Sequence, residues 1–268
     1  MFRCRRKRRL VFRPALALIE LLMASAIMAM IAGGIAALSL AVQASNQQSD
    51  SMSRSLQHGR VAMQRMERAL RTATTSNEFP GFAAFAISIG GFVYPDTLVV
   101  WQPEGAVSDP EGLPLFNELV VFTPDPSAPD HLLEIRNQFD SRTVPSLTDQ
   151  TTWQAELQSL RIDPSATRVT LTDLLRTADV GTPDPARGAV RFHVSLRPSD
   201  TEFAEFEAAT RPWGDLSWPL EYFGDGSGLR QSWCRIELQL VSGDGLDNSA
   251  DAAIPFFGSA ALHYHVKQ

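Results

Sequence analysis

Glu20 is the residue best placed for chemistry in the first part of this chain. It is the only charge in an apolar run from Leu16 to Val42. A carboxylate inside such a run costs roughly 2.5–3.5 kcal/mol on membrane-insertion scales. It therefore implies a cationic partner, met when the helix packs against something else. Near the other end, four oxygen donors gather in a glycine-containing loop: Asp244, Asp247, Asn248 and Asp251. Hard oxygen ligands on a flexible loop suit Ca2+, although acidic Gly/Asn turns without a metal have the same composition, and the spacing is not that of an EF-hand. His263 and His265 alternate onto one side of the last β-like run, with no further ligand cluster nearby in sequence. Glu202, Glu205 and Glu207 read as a solvated helix face.

Other chemistries lack their residues. The chain has no phosphate-binding Gly-x-x-x-x-Gly-Lys loop, no Gly-x-Ser-x-Gly elbow and no His-Glu-x-x-His helix. Gly224-Asp225-Gly226-Ser227-Gly228 lacks the following Lys and reads as a turn. There are two cysteines, Cys4 among the basic residues at the start and Cys234 in a β-like run; Cys234 reads as a small buried apolar residue. An enzyme is not expected.

Glu20 is positioned by a basic segment before it and a long apolar helix around it. Seven cations (Arg3, Arg5, Arg6, Lys7, Arg8, Arg9, Arg13) precede it with no acid among them. Such a segment favours the cytoplasmic side of a membrane. The run that follows is about 40 Å long as a helix, enough to cross a hydrocarbon core of about 30 Å. It is longer than the roughly 7–15 apolar residues of a secretory signal, although Ala24-Ser25-Ala26 imitates a signal-peptidase site. Gly33-Gly34 inside it favours close helix packing. Beyond it, Met52, Leu56, Gly59, Met63, Met66 and Leu70 recur at four- and three-residue intervals, one apolar stripe on a continuing helix. The expected helix runs from Leu16 to about Thr75.

The segment from Arg13 to Ala24, with Leu18-Ile19-Glu20-Leu21-Leu22 at its centre, resembles the N-terminus of the type IV pilin and pseudopilin family. There a basic leader ends in a small residue, and a hydrophobic helix follows with Glu as its fifth residue. The family usually has Gly before the cut and Phe after it; here these are Ala15 and Leu16. The resemblance implies cleavage between Ala15 and Leu16 by a prepilin peptidase and N-methylation of Leu16. It also implies pairing of Glu20 with the freed amine of a neighbouring subunit during assembly. Calcium in a late loop, as in some pseudopilins, would fall on Asp244, Asp247, Asn248 and Asp251. The expected partners are the peptidase, other pilins or pseudopilins, an inner-membrane assembly platform and secreted cargo.

The remaining residues form an expected α+β head, a long N-terminal helix packed on an antiparallel sheet. Strands are expected at 96–101, 117–123, 131–137, 189–196, 234–241 and 259–266, and helices at 152–160, 171–178 and 201–209. The expected division is a leader at 1–15, a membrane and polymerisation half-helix at 16–42, an amphipathic half-helix at 43–75 and a head at 76–268. The head carries 12 basic against 27 acidic residues, which disfavours nucleic acid. The leading expectation is a minor pseudopilin of a type II secretion system. Within it, the J-type subunit is favoured by Trp218-Pro219-Leu220-Glu221 and by Trp233-Cys234-Arg235-Ile236-Glu237-Leu238. A minor pilin of a type IV pilus, or a membrane-anchored or secreted protein of unrelated function, are the alternatives. The expected location is the bacterial inner membrane, crossed once, with the N-terminus cytoplasmic and the head periplasmic.

Overall fold

A computed structural model describes residues 14–89, 91–179, 186–218, 228–242 and 253–266. The chain divides into two compact units, residues 1–50 and residues 51–268. Helix α1 runs from Pro14 to Arg71. It stops four residues short of the expected end because the backbone changes partner: the Thr74 amide donates to the Trp101 carbonyl at 2.8 Å, joining a strand.

In the first unit, α1 is the described element, and every side chain from Leu18 to Asp50 is exposed. Its apolar residues include Leu21 and Met30, 72% and 74% exposed.

The second unit is α+β and antiparallel throughout. Strands β1 (Phe82–Ile89), β2 (Phe92–Trp101), β3 (Leu119–Pro124), β4 (Leu132–Arg136) and β5 (Thr167–Thr172) form a five-stranded meander in that order. Strands β6 (Thr177–Ala178) and β7 (Arg187–Gly188) pair with each other. Strands β8 (Val190–Arg197), β9 (Leu229–Val241) and β10 (Ala253–His265) form a three-stranded sheet with β9 in the middle. Helix α2 (Gln150–Ile162) lies between β4 and β5 in sequence, and α3 (Asp200–Glu207) between β8 and β9.

Two cores follow from the two faces of β2 and β3. Leu98, Val100, Val120 and Phe122 join Met66 and Leu70 of α1 and Phe192, Ile236 and Leu238 of the three-stranded sheet. Their alternates Val99, Trp101 and Val121 join Trp153 and Leu157 of α2. Period-two alternation thus splits one sheet between two apolar layers, which is why its central strands are buried on both sides.

The six expected strands are present. The helix expected at 171–178 is not: β5 extends to Thr172, Leu175 bridges to Leu240, and the Arg176 amide donates to Gln239 O at 2.8 Å. Sheet pairing there overrides a local helical preference. Strands β1, β5, β6 and β7 were not expected.

Candidate functional site

Glu20 lies one turn into the described side chains of α1, exposed, flanked by Leu18, Ile19, Leu21 and Leu22, each more than half exposed. No other charge occurs from Leu18 until Asp50. A helix apolar all round is stable only in a membrane or among other helices. This one is long and apolar enough to cross a membrane. Polar groups within it are handled locally: the Ser25 hydroxyl donates to Leu22 O at 2.9 Å. A Cβ built at Gly33 or Gly34 would meet nothing within 4 Å, so this face is open to a close neighbour. Ala15 and Leu16 belong to the start of α1, but their side chains lie outside the described residues, and so does the basic leader.

From Ser51 onward α1 rests on the sheets of its own unit, and the packing explains its small residues. A Cβ at Gly59 would fall 2.2 Å from Cζ of Phe256, and one at Gly258 would fall 2.3 Å from Cε of Met63. The two glycines let helix and β10 approach closely. Ser55 is fully buried and donates to Val241 O at 2.8 Å.

A charged clasp fixes the opposite side. Glu134 on β4 is 3% exposed as a side chain, with Arg65 Nε 2.7 Å from its Oε2 and Arg65 Nη2 3.0 Å from its Oε1. Arg136 Nε adds a third donor at 3.3 Å. Burial alone would raise the Glu134 carboxyl; hydrogen bonds and charge, from Arg65 first and then Arg136, outweigh it and hold it below the usual glutamate range. This clasp had no signature in the sequence, because its members lie 69 residues apart.

The other sequence candidates fall as follows. Asp244, Asp247, Asn248 and Asp251 lie outside the described residues, as do most of the 224–228 turn and Pro219, Leu220 and Glu221. Among the described residues, no group of three or more His, Cys, Asp or Glu is placed to hold a metal. His263 and His265 are exposed on β10, and His263 Nε2 lies 3.1 Å from Nε2 of Gln231 on β9. Glu202 is not simply solvated: it closes a capping box with Ser199 at the start of α3 and binds Arg211 at 2.9 Å. The Ser217 hydroxyl first, then the Ser199 amide, pull its carboxyl down to about 2. Glu205 also holds Arg211, at 2.9 Å. Cys234 is fully buried, and burial pushes its thiol up to about 12, which keeps it protonated and inert. No protein family, curated protein or solved structure matches the chain.

Proposed function

We propose that this chain is a prepilin-like structural subunit that assembles through its N-terminal helix. Within that class, the reading is a minor pseudopilin of a type II secretion pseudopilus, and the run from Trp233 to Leu238 favours the J-type subunit. One observation carries the proposal: a lone, exposed carboxylate at Glu20 on an apolar helix that continues into the packed helix of the head.

The mechanism is mechanical. The basic leader holds the N-terminus in the cytoplasm, and the apolar helix stores the subunit in the inner membrane. A prepilin peptidase cuts between Ala15 and Leu16 and methylates the new amine of Leu16. Helices then leave the lipid for a filament at an inner-membrane assembly platform, driven by a cytoplasmic ATPase. The Leu16 amine of one subunit meets Glu20 of the next, so that each charge offsets the other's burial and fixes the axial stagger. The acidic head is left on the periplasmic side to meet tip subunits or cargo. The loop carrying Asp244, Asp247, Asn248 and Asp251 is the candidate place for a structural Ca2+.

The test is Glu20→Ala. Membrane insertion should be unchanged or improved, because a costly charge is gone. Incorporation into filaments should be lost. Normal incorporation would remove the role assigned to the carboxylate.

A further inference from the structure

The second unit contains a cavity of about 320 Å3 bounded by β1, β2, α2 and β7. Its walls are of two kinds. Phe85, Leu157 and Ile162 present apolar surface, whereas Arg161, Arg187 and Asp96 present charge. Lys and Glu are absent from the lining among the described residues.

The charged wall is incompletely satisfied. Arg161 is buried to nine-tenths as a side chain. Its Nη2 donates to Thr97 Oγ1 at 2.6 Å and Thr123 Oγ1 at 2.7 Å and lies 3.8 Å from Asp96 Oδ1. Among the described residues, its buried Nε has no hydrogen-bond partner, and neither has the buried Nε of Arg187. A buried donor left unpaired costs about 1–3 kcal/mol, so two at one cavity are an unusual expense for a fold to carry. Arginine stays protonated in proteins, so both guanidiniums are charged. Asp96, 6% exposed, is the one acid among the described residues of the lining. Burial raises its carboxyl more than the Arg161 charge lowers it, which limits its value as a counter-ion. Even with Asp96 fully ionised, the described residues of the lining keep one positive charge in excess.

We propose that this cavity binds the carboxylate of a small amphipathic acid, with Arg161 and Arg187 donating to the carboxylate and Phe85, Leu157 and Ile162 enclosing its apolar body. Planar guanidinium forks match a carboxylate better than they match a single water. The apolar wall selects an organic acid over a bare inorganic anion, in keeping with pockets that are mainly apolar with a few convergent polar groups. The same chemistry has two sources, a free organic acid and the terminal carboxylate of a peptide chain. The inference does not rest on the proposed function, since the cavity lies wholly within the second unit.

The experiment is calorimetric titration of the full chain in detergent micelles with hexanoate, hexanamide, N-acetyl-leucine and N-acetyl-leucinamide. The account predicts saturable binding of a carboxylate and affinity at least about tenfold lower for its amide, a difference of about 1.4 kcal/mol. Tighter hexanoate assigns a free acid; tighter N-acetyl-leucine assigns a chain terminus. Arg187→Gln should weaken binding by about tenfold or more, and Arg187→Lys by less, with the unfolding midpoint measured alongside to show that both variants fold. Equal binding of acid and amide, tighter binding of inorganic phosphate, no saturable binding, or a folded Arg187→Gln that binds like the parent would each overturn the proposal.

Discussion

Replacing Arg65 by Met tests how the second half of α1 is fastened to the head. The substitution keeps an unbranched apolar stem and removes both hydrogen bonds to Glu134. Removing one partner of a buried ion pair costs about 3–5 kcal/mol. Two features reduce that here: the Arg65 side chain is 51% exposed, and Arg136 stays 3.3 Å from the carboxylate. A loss of about 1.5–3 kcal/mol is expected, between that of a charge-assisted hydrogen bond and that of a full buried pair. The sign with pH also follows. The folded carboxyl lies below its ordinary value of 4.5, so the clasp contributes fully above that pH and is lost as pH falls through the folded value. The gap between parent and variant should therefore narrow in acid. The assay is urea unfolding of the full chain in detergent micelles, read from the buried Trp101 and Trp153. Combining Arg65→Met with Glu134→Gln should cost less than the sum of the two by about 1 kcal/mol or more. A loss under about 0.5 kcal/mol, or strict additivity, would refute the clasp.

Two further predictions concern the head. Gly59→Ala gains about 1 kcal/mol of helix propensity but drives a methyl into the Phe256 ring, an overpacking that costs about 1–3 kcal/mol. It should destabilise the parent yet stabilise the Phe256→Ala protein, and the same sign in both backgrounds would contradict the close approach of α1 and β10. Ser199→Ala should cost about 1 kcal/mol as a lost cap, whereas Ser217→Ala, which removes the hydroxyl that lowers the Glu202 carboxyl most, should raise that carboxyl from about 2 towards 4.5 in an NMR titration. Because the folded value is depressed, the Glu202 contribution is present above about 4.5 and fades as pH falls towards 2. An unshifted titration in Ser217→Ala would show that this hydroxyl does not hold the carboxyl down.

The long helix and the strands around Val99, Val121 and Ile236 were legible because each is a run of strong formers with a clear period. β1 escaped because Phe82-Ala83-Ala84-Phe85-Ala86 is rich in alanine, a weak strand former. The apolar stripe of α1 was visible but narrower than the buried face: Gly59, Met63, Met66 and Leu70 are buried as expected. Met52 is half exposed, whereas Ser55, Ala62 and Ala69 are buried along with Met66 and Leu70. Small residues carry little hydrophobic signal, yet they sit where backbones approach most closely. The charged groups were the least legible. Glu134 and Arg65, like Asp96, Arg161 and Arg187, come together only where helices α1 and α2 pack against strands distant in the chain, and spacing in the sequence gives no warning of it. Glu20 is the reverse case, since its meaning lies in its immediate neighbours.

The most direct measurement is the mass of the N-terminal peptide of protein taken from its native envelope, with and without an active prepilin peptidase. The account predicts a chain that begins at Leu16, methylated on its amine, when the peptidase is active, and one that keeps the arginine-rich leader when it is not. A leader retained in the presence of the peptidase, or a start near Ala26, would contradict it.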